Sequence, residues 1–570
     1  MHRQNLFIFI ITGVYFLLAW LLFPFVVFYI DSPDAVFYIT IGKKYAAGNI
    51  MAAVNNYWSP LISWLLVPLM AVGTDPVVAF KIMQCLYGAA ALILSYHVSG
   101  FMVRGATLRK LYVICLIPAF LSYALIHPTP DLLFLVMLLW LLLFFMKIHK
   151  KIKSENIEQL VSKTQWLVFG LTAGISGSLI YFAKAFGFPF FIASWTFLTA
   201  FLIFSAGSGL QKKFLLKGFV AGLCFFLLGS SVWMAMLYHK YGSFTMGYAA
   251  TYNFNLIAPG SYIPGSPLKH PVLEAGLMDI SSREETSAWE SPGSSAVGTW
   301  SPFDSQASMQ HYINILKVNA RSFYYFLISR NTGLILLITV AIYFIMMRRR
   351  RAFPSPAFIL VTGCMLILVA GYSLIFFMQR YLWICNMMLP LMIIHLFETV
   401  ITVTGKARWL AYGMIAITFM LLVKKPVKEI LFKEDAPIPV RQITDGFAHP
   451  LQTIKKTYSD DMQFPALISK LKSLNIQAGR TAGIRTLDSP ETSYTKSLLV
   501  CMYLNHTFYG EISAGFIQWD QIEKYKIRYL VSWESPLQSS NADYSHLVSL
   551  KELKLLEDHT TGFTLFEIKK

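Results

Sequence analysis

Charge is scarce in this chain: 14% of its 570 residues are ionisable Asp, Glu, Lys or Arg, where a soluble globular domain carries about 25%. That shortage excludes a protein faced mainly by water. With 56% hydrophobic residues it points to a polytopic membrane protein. Acids are scarcer than bases, 30 against 48. The resulting +18 would suit nucleic acid, but the basic residues fall in short breaks between apolar runs. That is the pattern of topology determinants and of contacts with anionic membrane lipids, so no nucleic-acid partner is expected. Cysteine is also sparse. Five of the six lie inside apolar runs, only Cys501 lies in the polar tail, and no pair has metal-ligand spacing. They read as small core residues.

Eleven apolar runs are long enough to span or nearly span a bilayer, near 6–30, 76–103, 110–126, 131–147, 164–183, 186–206, 214–237, 323–347, 355–378, 381–400 and 407–423. The first follows only His2 and Arg3. It is too long for a signal-peptide core and lacks a small-residue cleavage site, so it reads as a retained span. Lys and Arg set the orientation. With the N-terminus in the cytoplasm, the cytoplasmic loops hold Arg104, Arg109 and Lys110, the run "KIHKKIKSENIEQLVSK", Lys212, Lys213 and Lys217, the block Arg348–Arg351, and Lys406 with Arg408. The opposite short loops hold little beyond Lys43, Lys44, Lys184 and Arg380.

Three regions then lie outside. Residues 31–75 mix polar and apolar positions and read as surface-lying helices. Residues 239–322 form a long loop rich in Gly, Pro and Ser that also carries Trp289 and Trp300; loops of that length are usually functional or disordered. From 424 to 570 the chain turns polar. Its amphipathic "FPALISKLKSL" (464–474) and short apolar runs at 497–504, 526–533 and 562–568 suggest a small α/β domain. The tail shows no phosphate loop, dinucleotide fingerprint or catalytic triad, and "NHT" at 505–507 is a single chance-level match to a glycosylation acceptor. The expected fold is an all-α polytopic membrane domain, 1–423, followed by a small α/β soluble domain, 424–570, outside the cytoplasm. The expected location is a bacterial inner (plasma) membrane.

Two helix mouths repeat one pattern: "DSPDAVF" places Asp34 after Ser32-Pro33, and "HPTPDLLF" places Asp131 after Thr129-Pro130. Ser or Thr at the N-cap, Pro at the first position and an acid in the first turn make a good helix start. Capping alone would explain both acids; a capped start also holds an acid rigidly. Both map to the outer side, as do Lys184 in "YFAKAFGFPF" and Arg380 in "FFMQRYLW". Snorkelling would explain Lys184, and interfacial anchoring beside Tyr381 would explain Arg380. Against those readings, the outer side is disfavoured for positive charge, and charge at membrane depth tends to be kept for function. Two cations for a phosphate, an acid for a hydroxyl proton and an apolar surround for a lipid tail suit group transfer from a lipid-linked phosphate. His127 and His311 read as packed or solvent-bonded histidines before ligands, and His395 and Glu398 sit too far down a span to join the site.

On these residues the chain resembles the GT-C superfamily of polytopic glycosyltransferases, most nearly the branch of protein O-mannosyltransferases and lipid A aminoarabinose transferases. "DSPDAVFYITIGKKYAAGN" resembles the first outer loop, and "YWSPLISWLL" (57–66) the "PPLxYWL" segment. "TPDLLFLVMLLWLLL" (129–143) resembles the acid–Pro start of the fourth span, and "AKAFGFPF" and "QRYLW" resemble "tKGp…lP" and "RYLlP". The likeness covers residues 1–425 in layout. It implies Asp34 as the base on the acceptor, Asp131 as a second positioning acid, and Lys184 and Arg380 as ligands of the donor phosphate. Asp31 is a possible substitute for Asp34, and with Tyr38, Trp58 and Tyr381 a possible substrate contact. The chain departs from the pattern at Ala35, where the family often has Glu, at Ser59 in the Pro-Pro pair, and at Ala185 for Gly. Ala35 removes a second acid, so no cofactor is assigned and a divalent metal stays open.

The implied reaction is transfer of a hexosyl or pentosyl unit from a polyprenyl-phosphate donor to a lipid, glycan or protein hydroxyl, with inversion. The rival reading is a transporter or flippase of lipid-linked glycans. It would place ionisable groups at the midplane, whereas these stand at span ends. A non-catalytic member whose tail binds a partner would tolerate loss of Asp34.

Overall fold

The computed structural model describes residues 2–154, 165–266, 268–273, 276–280, 282, 284–292, 298–329, 340, 355–404, 408–432, 440–485, 490–513, 517–533, 550, 552–559 and 562–569. Among these, nine helices are long and apolar enough to cross a membrane: Gln4–Val26, Pro76–Met102, Ala106–Ile126, Pro130–Lys153, Gln165–Ala183, Gly187–Ser205, Gly209–Tyr241, Pro356–Ser373 and Gln379–Thr399. The chain is an integral membrane protein. Of the two other runs read from the sequence, 408–423 lies in a helix, Arg408–Phe432; 323–329 end the helix Gln306–Ser329, while 330–339, 341–347 and Arg348–Arg351 lie outside the described residues.

The helices are α1 (His2–Val26), α2 (Pro33–Ala46), α3 (Ile50–Ala53), α4 (Leu61–Ala71), α5 (Pro76–Met102), α6 (Ala106–Leu121) and α7 (Pro130–Ser154). Then come α8 (Gln165–Ala183), α9 (Gly187–Ser205), α10 (Gly209–Tyr241), α11 (Ala249–Leu256), α12 (Gln306–Ser329), α13 (Pro356–Ser373), α14 (Trp383–Thr404) and α15 (Arg408–Phe432). The tail adds α16 (Val440–Ala448), α17 (Pro450–Thr457), α18 (Ser459–Ser473), α19 (Pro490–Leu504) and α20 (Trp519–Lys524).

In lipid, helices gain nothing from burying apolar surface against each other, so close association needs small residues. The α8–α10 pair has them at spacing four on both partners. A Cβ on Gly170 would stand 2.9 Å from the Gly218 carbonyl oxygen, and one on Gly174 would stand 2.9 Å from that of Gly222. The bundle has two distinct ends. At one, Glu398 accepts from the backbone N–H of Arg104 (2.7 Å) and Gly105 (2.5 Å), and Gln211 donates to the Ile152 carbonyl (3.0 Å). This end carries the cations Arg104, Arg109, Lys150, Lys153, Lys212 and Lys213. The other end carries the starts of α2 and α7 and the ends of α8 and α13.

The tail forms a six-stranded mixed sheet in the order β1-β3-β2-β4-β6-β5, with β1 (Gly276–Leu277), β2 (Arg480–Arg485), β3 (Thr507–Ser513), β4 (Tyr529–Ser532), β5 (Leu553–Asp558) and β6 (Thr564–Ile568). β1 comes from the long loop: Gly276 pairs with Glu511 and Leu277 with Gly510, antiparallel. The run 497–504, strand-like by its apolar content, is the second half of α19. Its buried Leu498, Val500 and Cys501 pack a helix onto the sheet instead of entering it.

The segment 31–75 is helical, exposed at 46–51 and 71–73 but not along most of α2. α2 is buried from Pro33 to Gly42 because α4 covers one side and α19 another. Side-chain hydrogen bonds from this segment hold the tail. Lys43 Nζ donates to the Met502 carbonyl (2.7 Å), and the Tyr503 hydroxyl donates to Asp75 (2.8 Å).

Within the sheet, Glu511 is buried, accepts from Ser493 Oγ at 2.8 Å and faces Arg485 Nε at 3.6 Å. Burial pushes its carboxyl up to about 7, against the opposing pull of Ser493 and Arg485. A folded value above the unfolded one means the native state holds the extra proton between the two. Stability therefore falls as pH rises from about 4.5 towards 7, by a few kcal/mol at about 1.4 per unit. Glu511→Gln, which keeps the Ser493 contact without the charge, is expected to flatten that fall. Thermal unfolding of both proteins across pH 5 to 8 checks it.

Candidate active site

α2 begins where the sequence says it should. Ser32 is the N-cap, its Oγ accepting from the Asp34 N–H at 3.4 Å, and Pro33 takes the first helical position. The start of α7 differs: the Thr129 hydroxyl donates to Asp131 Oδ2 (3.2 Å), fixing the carboxylate itself. Asp34 and Asp131 are 9% and 5% exposed. Lys184 follows the end of α8, and Arg380 sits in a 3-10 turn, Gln379–Leu382, ahead of α14.

These four side chains form one alternating row. Lys184 Nζ is 2.5 Å from Asp131 Oδ1, Asp131 Oδ2 is 3.7 Å from Arg380 Nε, and Arg380 Nη2 is 2.7 Å from Asp34 Oδ2. The formal charges sum to zero, which lets them share a largely desolvated place; a lone charge there would be costly. They line an open cavity whose empty space, its solvent-filled mouth included, is about 800 Å³. Its aromatic wall is a stack: Phe186 on Tyr372 at 4.2 Å, then Tyr372 on Tyr381 at 4.2 Å, with Lys184 Nζ 3.9 Å from the Tyr381 ring centre. Trp58 stacks on Phe37 at 5.2 Å, and its segment is held by Asn55, whose Oδ1 accepts from the N–H groups of Tyr57 (2.7 Å) and Trp58 (2.9 Å).

The long loop roofs the cavity. Ala249, Ala250 and Asn253 of α11 line it. The Tyr248 N–H donates to the Asn56 carbonyl (2.5 Å), Tyr181 to that of Met246 (2.7 Å), and Trp300 Nε1 to that of Phe254 (2.8 Å). Further along, His270 stacks on Trp289 at 4.8 Å, and burial pushes its imidazole down to about 4, so it is neutral. Glu290, 1% exposed, is paired with Lys44 and accepts from the Thr286 N–H at 2.7 Å. Lys44→Met would strand that carboxylate. Removing one partner of a buried pair costs about 3–5 kcal/mol, so a lowered unfolding temperature in detergent is expected, with faster proteolysis between 243 and 292.

Of the residues singled out in the sequence, Asp34, Asp131, Lys184, Arg380, Tyr38, Trp58 and Tyr381 all line the cavity. Asp31 does not: its Oδ2 is 2.6 Å from His127 Nδ1, to one side. His311 Nε2 stands 2.9 Å from the Ile257 carbonyl, and His395 bridges Met102 and Ser355. Tyr57, Phe186, Tyr372 and Asn253 also line the cavity and were not foreseen. Tyr57 precedes Trp58 in a recognisable motif, whereas Tyr372 lies in an apolar run without a mark of its own. Among the described residues no three His, Cys, Asp or Glu side chains converge as a metal cage. Both cavity carboxylates face cations.

A crystal structure of ArnT from Cupriavidus metallidurans in the apo state matches 100% of this chain and 98% of its own, with a TM-score of 0.54 at 11% identity. This chain has the GT-C fold. ArnT bound to undecaprenyl phosphate also matches, at 11% identity and a TM-score of 0.48 over 99% of this chain and 98% of that one. So does the archaeal oligosaccharyltransferase AglB from Archaeoglobus fulgidus, in complex with an inhibitory peptide and a dolichol-phosphate, at 10% identity and a TM-score of 0.42 over 98% and 74%. No protein-family model and no curated protein matches the sequence. In this GT-C fold the charged row lies at the bundle end opposite the cation-rich one.

Proposed function

We propose that this chain is a membrane glycosyltransferase. It moves a hexosyl or pentosyl unit from a polyprenyl-phosphate-linked donor to an acceptor hydroxyl on the extracytoplasmic side, with inversion. Residues 1–423 form the catalytic membrane domain and 424–570 an extracytoplasmic α/β domain. The cation-rich helix ends face the cytoplasm by the positive-inside rule, which puts the cavity on the other face. The observation that carries the reading is the row Lys184–Asp131–Arg380–Asp34 along one wall of an aromatic cavity. The shared fold supports it.

In the row as it stands, Asp34 Oδ2 is occupied by Arg380 Nη2 at 2.7 Å. A donor phosphate drawn to Arg380 and Lys184 competes with that bond and frees Asp34 Oδ2 to meet the acceptor hydroxyl. Asp34 takes the acceptor proton, the acceptor oxygen bonds to the anomeric carbon, and the bond from that carbon to the phosphate oxygen breaks with its electron pair going to the phosphate. The added negative charge falls to Arg380 and Lys184, so no proton donor to the leaving group is needed. Asp131 holds both cations in place.

The test is release of free polyprenyl phosphate from a panel of polyprenyl-phosphate sugars by the full chain in nanodiscs with candidate acceptors. Transfer consumes donor, whereas a flippase moves it intact. No release with any donor, or release that survives loss of Asp34, overturns the reading.

A further inference from the structure

Asp31 and His127 lie outside the cavity, yet each is placed about one turn from a cavity carboxylate: Asp31 three residues before Asp34, His127 four before Asp131. Their contact, His127 Nδ1 to Asp31 Oδ2 at 2.6 Å, joins the two loops from which α2 and α7 start. His127 closes a π-helical turn, Ser122–Ile126, its N–H donating to the Ser122 carbonyl at 3.0 Å. From that turn the Ser122 hydroxyl donates to Glu429 Oε2 of α15 (2.7 Å), which also stands 3.8 Å from His127 Nε2. Lys425, one turn earlier on α15, is 3.5 Å from Glu429 and donates to Gln379 Oε1 at 3.3 Å, next to Arg380. Lys81 of α5 donates to the Leu125 carbonyl within the same turn. The connected side chains thus reach all three segments that carry Asp34, Asp131 and Arg380.

We propose that His127 and Asp31, extended by Glu429 and Lys425, are positioning residues that set the spacing of Asp34 and Asp131. The two carboxylates begin separate helices, and no backbone hydrogen bond joins their loops among the described residues. A displacement of about 1 Å in such a site costs about 10²-fold in rate. Stability alone is a poor reason for this pair. Asp31 Oδ1 is buried without a hydrogen-bond partner, a cost that an apolar contact between the loops would avoid. A charged, directional contact fixes distance and angle where an apolar one fixes neither.

The inference rests on the transferase reading for its kinetic readout, so the test carries a second one. Full-length His127→Ala, His127→Asn and Asp31→Ala in nanodiscs are compared with the unaltered chain for kcat, donor KM and hydrogen–deuterium exchange of peptides covering 29–36 and 127–133. His127→Ala is expected to lower kcat by about 10–100-fold with KM moved less than about threefold, and to raise exchange in both peptides. His127→Asn, whose amide nitrogen stands near the lost Nδ1, should recover most of both. Unchanged kcat, exchange raised in only one peptide, or loss that Asn does not restore overturns the proposal. If His127→Ala does not fold, Asp31→Ala is read by the same measures. If the unaltered chain transfers no sugar, coupled exposure of the two peptides alone decides the clasp.

Discussion

Asp34→Asn is expected to cut sugar transfer by about 10²–10⁴-fold, the usual yield of a positioned general base. Asn nearly matches the carboxylate in shape and still accepts a hydrogen bond from Arg380, now 2.7 Å from Asp34 Oδ2. Arg380 also keeps Asp131 at 3.7 Å, so the variant is expected to fold and to bind donor. The measurement is single-turnover release of polyprenyl phosphate beside a donor-binding isotherm. A collapse in rate at unchanged affinity assigns the proton to Asp34. Equal losses in both would mean that the residue only holds the cavity together.

Arg380→Gln should do more damage and of another kind. Among the described residues it removes the one side chain ion-paired with both carboxylates, leaving Asp34 buried without an ion pair there. A cost of about 3–5 kcal/mol in stability follows from stranding a buried charge. Loss of a charge-stabilising donor adds about 10²–10³-fold in kcat, and donor affinity falls with it. Arg380→Lys is expected to recover little: a single ammonium cannot reach Asp34 through Nη2 and Asp131 through Nε at once. The double change Asp34→Asn with Arg380→Gln separates the terms, because removing both charges should restore folding stability without restoring transfer. Unfolding temperature and donor binding, measured on the three variants together, check this.

The helix starts at Ser32-Pro33-Asp34 and Pro130-Asp131 were legible because capping is a local code, and the apolar runs were legible because a bilayer demands about twenty such residues. Lys184 and Arg380 stood out as cations on the side that disfavours them. Which acid meets which cation was not legible: Arg380 reaches Asp34 across most of the chain, and nothing local encodes that. Read from the sequence, the cations formed a phosphate grip and the acids a separate pair; folded, they neutralise one another first. Asp31 looked interchangeable with Asp34, but it lies in the coil before the Ser32 cap and meets His127 instead. The burial of α2 escaped notice because its cover, α19, lies hundreds of residues away and reads as strand-like by apolar content.

The two-residue strand at Gly276–Leu277 ties the roof to the far end of the polypeptide, where its partner Glu511 lies in β3. A ribosome that has finished the described membrane spans has therefore not yet supplied this one partner of the loop. Asn56 and Tyr181, made early, can seat the part of the loop that lines the cavity, whereas the edge at Gly276–Leu277 must wait for β3 to be synthesised and folded.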